Sequence, residues 1–268
     1  MSAIKANSAA ILAPGDKAKR AVVRVGEVGR GFVVEGRGNE RYVVTAAHCL
    51  PRMPQPYGFS RLEELTYRRL LAPLGGEPSV SCLCLFVDPI SDLTVLGMPD
   101  DLEPDDEAEA YEELVAAAIP LVVAEPPREA VEDMRECRAF LLSLSDRWFP
   151  CTVQHYGDSM VVSDAAEDIV GGMAGSPIVS ENGSAVGVLC LSFGGYDKPH
   201  RVGGVNPQLM GNLPSWFLKM LAKVRVRKRT WTTAKGAKQT AWIVDCADRE
   251  GDRHIFVFGR DNDRCVSV

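Results

Sequence analysis

Three places in this 268-residue sequence hold residue types that can do chemistry together. The run "RYVVTAAHCL" ends near His48. "DPISDLTVLG" sets Asp92 at the head of another apolar run. "GGMAGSPIV" (171–179) is a glycine-rich turn leading into a strand. An imidazole takes and returns a proton near neutral pH. A buried carboxylate fixes its tautomer, and a nucleophile on a glycine-rich turn completes an acyl-transfer constellation in the chain order His, Asp, nucleophile. Such chemistry puts negative charge on a former carbonyl oxygen. Backbone N–H groups aimed at that charge stabilise it, and each missing donor costs roughly 3 kcal/mol in the barrier. Backbone approaches so closely only where side chains are absent, which accounts for the glycines. The nucleophile position, however, is Ala174, which has no hydroxyl. Ser176 is set aside because it precedes Pro177 and opens the next strand, off the turn.

These residues need a rigid frame, and the sequence supplies short β-branched runs punctuated by glycine. They read as strands at 21–25, 31–35, 41–47, 79–87, 93–97, 139–144, 149–156, 159–165, 176–180 and 184–193. Many short strands with turn signals predict an all-β barrel or sandwich. Two stretches carry helical spacing. One is 60–74, with Leu62, Leu65, Leu70 and Leu71; the other is 212–224, with Leu213, Phe217 and Leu218. Nine of the fourteen residues from Asp100 to Glu113 are acidic, which predicts a solvated loop or helix face.

Charge divides the chain. Residues 219–268 hold 12 Lys/Arg against 6 Asp/Glu, a balance of +6, while 1–218 carry −12. The contrast predicts a boundary: a flexible lead-in at 1–19, a main domain at 20–222 and a basic three-stranded β appendage at 223–268. The eight cysteines (49, 82, 84, 137, 151, 190, 246 and 265) show no C-x-x-C pair and sit mostly in apolar runs. Free thiols in a reducing compartment, with packing rather than zinc at Cys82 and Cys84, follow from that pattern. No apolar run approaches the ~18 residues that span a bilayer, so no membrane partner is expected. No cofactor or metal site is read from the sequence.

"TAAHC", "DLTVL" and "GGMAGSP" resemble the three signature segments of the trypsin-like (chymotrypsin-fold) serine peptidases, over about residues 20–220. The resemblance implies a double β-barrel with the site between the barrels. It implies His48 as general base, Asp92 as its orienter, Ala174 at the nucleophile position, and Gly172 and Ala174 as oxyanion donors. The stretch 206–221 is similar to the family's C-terminal closing helix. Base, orienter and oxyanion glycine are all present, so a serine replaced by alanine is expected here, ahead of a pseudopeptidase that binds peptide or protein in its cleft. Asp168, six residues before Ala174, matches the pocket-floor Asp of members that cut after Arg or Lys; the alternative is an exposed loop Asp. Ser192, Phe193 and Gly194 resemble the family's Ser-Trp-Gly segment, which pairs with substrate backbone; their alternative is strand packing.

The departures from secreted members also carry expectations. Val33 or a neighbour stands where those members have a cysteine, so Cys49 has no obvious partner. Met173 replaces the Asp that pairs with a newly cut N-terminus, so activation by such a cut is not expected. Together these imply a cytoplasmic peptidase acting on a protein or peptide substrate and controlled by a partner protein or an ordering loop. The basic tail resembles the arm-type DNA-binding segment of phage-type tyrosine recombinases in style and turn placement. Arg225, Arg227, Lys228 and Arg229 are its phosphate-binding candidates. A solvated strand set packed on the peptidase is the preferred reading of that tail.

Overall fold

The computed structural model describes residues 13–54, 65–99, 105–125, 136–190, 202–221, 225–232, 238–247, 253–259 and 264–267. The chain falls into two compact units. One comprises residues 1–35 and 41–213, the other 36–40 and 214–268.

The first unit is a double β-barrel. Strands β1 (Val22–Val25), β2 (Gly29–Glu35), β3 (Arg41–Thr45), β4 (Thr66–Pro73), β5 (Val80–Asp88) and β6 (Leu93–Gly97) close a barrel in the order β1-β2-β3-β6-β5-β4. Strands β7 (Glu136–Leu142), β8 (Trp148–Tyr156), β9 (Ser159–Ser163), β10 (Pro177–Ser180), β11 (Ala185–Val188) and β12 (Val205–Pro207) form a second six-stranded sheet, ordered β11-β10-β7-β8-β9-β12. An antiparallel bridge between Gly187 and Gln208 brings its two edges together, so this barrel is nearly closed. The link between the barrels is itself extended. Leu121 bridges to Val34 of β2 and Val123 to Ala185 of β11.

Alternation along the strands fills each barrel. Val23, Val33, Val43, Leu71, Cys82 and Leu96 pack inside the first; Leu141, Phe149, Val153, Met160, Val162 and Ile178 pack inside the second. Each fully buried Leu, Val or Phe stabilises by about 1.5–3 kcal/mol. The acidic run opens a helix, Asp105–Ala117, whose other face buries Tyr111, Leu114 and Val115 against the first barrel, with Ala118 just past its end packed there too. The Tyr111 hydroxyl lies 3.1 Å from the Arg41 carbonyl and 3.3 Å from that of Leu96. Cys82, Cys84, Cys151 and Cys190 are buried free thiols, while Cys49 and Cys137 are half-buried.

The helical spacing read over 60–74 gives way to β4; residues 60–64 lie outside the described residues. The pairing of β4 with β5 slips between Tyr67 and Leu71, and Arg69 adopts φ 52°. This bulge lets Arg68 and Arg69 both face solvent, so buried Tyr67, Leu70 and Leu71 recur at a three-to-four spacing. A bulged strand thus mimics a helix in sequence.

The second unit holds a helix, Ser215–Leu221, and an antiparallel sheet of β13 (Arg225–Thr232), β14 (Lys238–Ala247), β15 (Arg253–Gly259) and β16 (Arg264–Ser267), in that order. The appendage has four strands rather than three. β16 is only four residues long, and its Arg264 and Ser267 flank just two apolar positions, too few for alternation to register. No described helix is long and apolar enough to cross a membrane.

Candidate active site

His48 sits on a single 3-10 turn, Ala47–Cys49, directly after β3. Ala46 and Ala47 are fully buried, so the chain turns tightly against the barrel and presents the imidazole at its rim. Asp92 ends the β5–β6 turn. Asp88 shapes that turn by accepting the Ile90 N–H at 2.9 Å and the Ser91 hydroxyl at 2.6 Å. Asp92 itself adopts φ 57°, a left-handed conformation that Asp tolerates better than most side chains.

Three hydrogen bonds lock the two segments. His48 Nδ1 lies 2.6 Å from Asp92 Oδ2, the His48 N–H donates to Oδ1 at 2.9 Å, and the Ala47 N–H donates to the Asp92 carbonyl at 3.1 Å. The carboxylate therefore holds the Nδ1 proton and leaves Nε2 for other work. Hydrogen bonding to Asp92, and then to the Cys49 thiol, raises the His48 pKa to about 10. Burial pushes the Asp92 carboxyl up, but the hydrogen bonds and charge of His48 outweigh it and hold Asp92 below its ordinary value.

The turn carrying Ala174 comes from the second barrel. Gly172 and Gly175 adopt φ 91° and 82°, conformations that favour glycine. The Met173 N–H donates to Val170, that of Gly175 to Leu189 at 2.8 Å, and that of Ser176 to Met173. The amides of Gly172 and Ala174 have no hydrogen-bond partner among the described residues. Unpaired backbone donors beside a cleft are what an incoming oxyanion needs. Met173 is buried in the core of the second barrel and anchors the turn. A Cβ on Gly175 would lie 1.8 Å from the Arg30 carbonyl oxygen, so β2 and the turn touch backbone to backbone.

His48, Cys49, Gly172 and Ala174 line one cavity of about 630 Å³ between the barrels, together with Val28, Arg30, Leu144 and Gly171. The structure thus brings together His48, Asp92, Gly172 and Ala174 from both barrels. Asp168 is exposed and is not among the residues lining this cavity. Ser192, Phe193 and Gly194 lie outside the described residues. Among the described residues no group of three or more His, Cys, Asp or Glu side chains could hold a metal ion.

Two features escaped the sequence reading. The residue facing Cys49 is Gly29, not Val33: a Cβ on Gly29 would lie 2.6 Å from the Cys49 sulfur, whereas Val33 pairs with Val43 inside the barrel. The antiparallel register that pairs Gly31 with Thr45 carries Cys49 toward the start of β2, a clue available once strand ends are known. The other is Arg30, only 6% exposed, set between two glycines and followed by the apolar run Phe32–Val34. A charge at such a position signals a buried partner.

Comparison with solved structures gives likenesses of low identity. The structure described as "HtrA-type protease AlgW with tripeptide" is 12% identical, with 94% of each chain covered and a TM-score of 0.48. The MamO protease domain from Magnetospirillum magneticum is 17% identical, covering 72% of this chain and 94% of that one, with a TM-score of 0.43. The Rv3671c protease, inactive form, is 16% identical, covering 72% of this chain and 86% of that one, with a TM-score of 0.42. A comparison with curated proteins gives no match to the chain. The family described as "Trypsin-like peptidase domain" matches residues 29–188, more than half the chain and the whole span from the strand before His48 to the strand after Ala174. With its double β-barrel, the chain belongs to the trypsin-like peptidase family.

Proposed function

We propose that the cleft is that of a serine endopeptidase in which alanine stands at the nucleophile position, so that this chain binds a peptide without cutting it. One observation carries the reading: the 2.6 Å His48–Asp92 pair opens on the same cavity as a turn with two unpaired amides. With serine at 174, its hydroxyl oxygen attacks the scissile carbonyl carbon while His48 Nε2 takes the proton. The carbonyl oxygen gains negative charge between the Gly172 and Ala174 amides. Collapse breaks the C–N bond, and His48 returns its proton to the leaving amine. Water, deprotonated by His48, then releases the acyl group. Asp92 stays ionised throughout and holds the imidazole in place.

In the alanine chain the first bond cannot form, and only the modest catalysis of the oxyanion donors and binding is left. The test is Ala174→Ser with a fluorophosphonate probe. Labelling that requires His48 supports the triad; labelling that persists in His48→Ala rejects it. Asp168, Ser192, Phe193 and Gly194 form the substrate-facing set in this reading. Preference for Arg or Lys before the cut rests on the place of Asp168 in the sequence, and its exposure gives a buried pocket floor no support. A peptide panel that is cut without regard to Arg and Lys removes that assignment.

The second reading is a natural pseudopeptidase that holds a peptide or protein in the cleft, and Ala174 itself favours it. Failure of Ala174→Ser to label at any pH, with peptide binding intact, selects that reading. The free thiols support work in a reducing compartment such as the cytoplasm. Control by a partner protein completes the proposal; the 223–268 tail is read first as a solvated strand set, with nucleic-acid contact as the alternative to it. The tail contact fails if a DNA shift survives loss of the basic cluster at Arg225, Arg227, Lys228 and Arg229.

A further inference from the structure

Arg30 bears on the turn that carries Ala174 by two separate routes, one direct and one through Leu144. The first is backbone. The Arg30 N–H donates to the Ala174 carbonyl at 2.8 Å, and its own carbonyl accepts the Thr45 hydroxyl at 2.6 Å. That same carbonyl fills the space a Gly175 side chain would take, so β2 and the Ala174–Gly175 segment cannot move independently. The second route is the side chain. The guanidinium crosses to the other barrel, where Nη1 donates to the carbonyls of Leu142 and Ser143 at 2.9 and 3.0 Å and Nη2 lies 3.5 Å from Asp146 Oδ1.

Those carbonyls begin the β7–β8 turn. It is tied internally by Ser143 N–H to Arg147 carbonyl at 2.9 Å and Arg147 N–H to the Ser143 hydroxyl at 3.1 Å. The turn carries Leu144, whose Cδ2 lies 3.3 Å from where a Gly172 Cβ would stand. The path therefore runs from guanidinium to turn to Leu144 to Gly172.

We propose that Arg30 is the positioning residue of the oxyanion turn, fixing Ala174 and Gly175 through its backbone and Gly172 through its guanidinium and Leu144. The inference rests on the peptidase reading for its consequence in catalysis, though not for its geometry. Arginine suits the place because its planar fork meets two successive carbonyls at once and stays charged. Burial lowers its pKa, with Asp146 opposing that shift, so the charge is carried at a desolvation cost that the carbonyls and Asp146 offset. An apolar substitute leaves those carbonyls short of a partner and frees the turn.

The experiment compares Arg30→Met, Arg30→Lys and Leu144→Ala. Leu144 is 51% exposed, so its truncation leaves folding intact. In the Ala174 chain, backbone 15N order parameters read the turn without any need for hydrolysis. Arg30→Met is expected to lower the Gly172 value from about 0.85 to below about 0.6. Leu144→Ala is expected to loosen Gly172 and leave Gly175 rigid. In Ala174→Ser, with fluorescein-labelled casein as substrate, Arg30→Met is expected to lower kcat roughly 10- to 100-fold with KM nearly unchanged, and Arg30→Lys to restore part of it. Folded Arg30→Met and Leu144→Ala proteins that leave the Gly172 order parameter and kcat untouched overturn the proposal, as does a change in KM alone. If Ala174→Ser cuts nothing while Gly172 still loosens in Arg30→Met, the peptidase reading falls and the positioning role stands.

Discussion

Gly175→Ala isolates the cost of the backbone contact between the barrels. Gly175 and Gly183 share nearly the same left-handed φ, 82° and 84°. They differ in surroundings. A Cβ on Gly183 meets nothing within 4 Å, whereas one on Gly175 lies 1.8 Å from the Arg30 carbonyl oxygen and 2.5 Å from Thr45 Oγ1. Left-handed strain for a non-glycine residue costs roughly 1–2 kcal/mol at either site. At Gly175 the obstacle is backbone, so no side-chain rotation relieves it. Overpacking adds about 1–3 kcal/mol. Parting Arg30 from Thr45 or Ala174 adds about 1 kcal/mol for each hydrogen bond lost. Gly175→Ala is thus expected to lose about 3–6 kcal/mol in urea unfolding with one hydrogen bond lost, and Gly183→Ala only the strain of about 1–2 kcal/mol. Against a typical total of 5–15 kcal/mol the difference is readily measured. Equal losses in the two variants would refute the argument, because strain alone would then account for both.

Other expectations follow from the same geometry. Asp92→Asn removes the largest cause of the raised His48 pKa, so an NMR titration of His48 should move down from about 10 toward the ordinary 6.5; an unchanged midpoint rejects Asp92 as the cause. A base must be unprotonated to act, so fluorophosphonate labelling of Ala174→Ser should rise with pH as His48 loses its proton, with a midpoint above 6.5 that falls in Cys49→Ala. The sign for stability is opposite. A raised histidine pKa stabilises the fold fully below the unfolded value of 6.5, and the contribution is lost as pH rises through about 10. Chemical denaturation across that range checks it. Tyr111→Phe leaves the packing and removes a buried hydroxyl shared by two carbonyls, so it should cost about 1 kcal/mol in thermal unfolding; no loss means those carbonyls were already satisfied elsewhere.

The barrel strands were legible because β-branched runs and glycine turns obey local rules. The candidate site was legible because His48, Asp92 and the 171–179 turn each carry a local signature; the structure brings these segments together, and their catalytic roles are the proposal. What stayed hidden depends on pairing. The bulge at Arg69 reproduces helical spacing in β4, and only the neighbouring β1 and β5 decide the matter. The contact of Cys49 with Gly29 is set by the β2–β3 register, which no short stretch reveals. Arg30 looks anomalous in the sequence, yet its partners Leu142 and Ser143 lie more than a hundred residues away. The acidic run reads as solvated by composition, but one side of its helix, around Tyr111 and Leu114, is a wall of the first core.

The extended link between the barrels has a mechanical consequence. Leu121 and Val123, two residues apart, are stitched to opposite barrels, one to Val34 and the other to Ala185. A connector of this kind has no slack. Whichever barrel melts first loosens the bridge that the link makes to the other, so the pair should come apart in one cooperative step, and a hinge-like opening of the groove would have to tear this seam before anything else could swing.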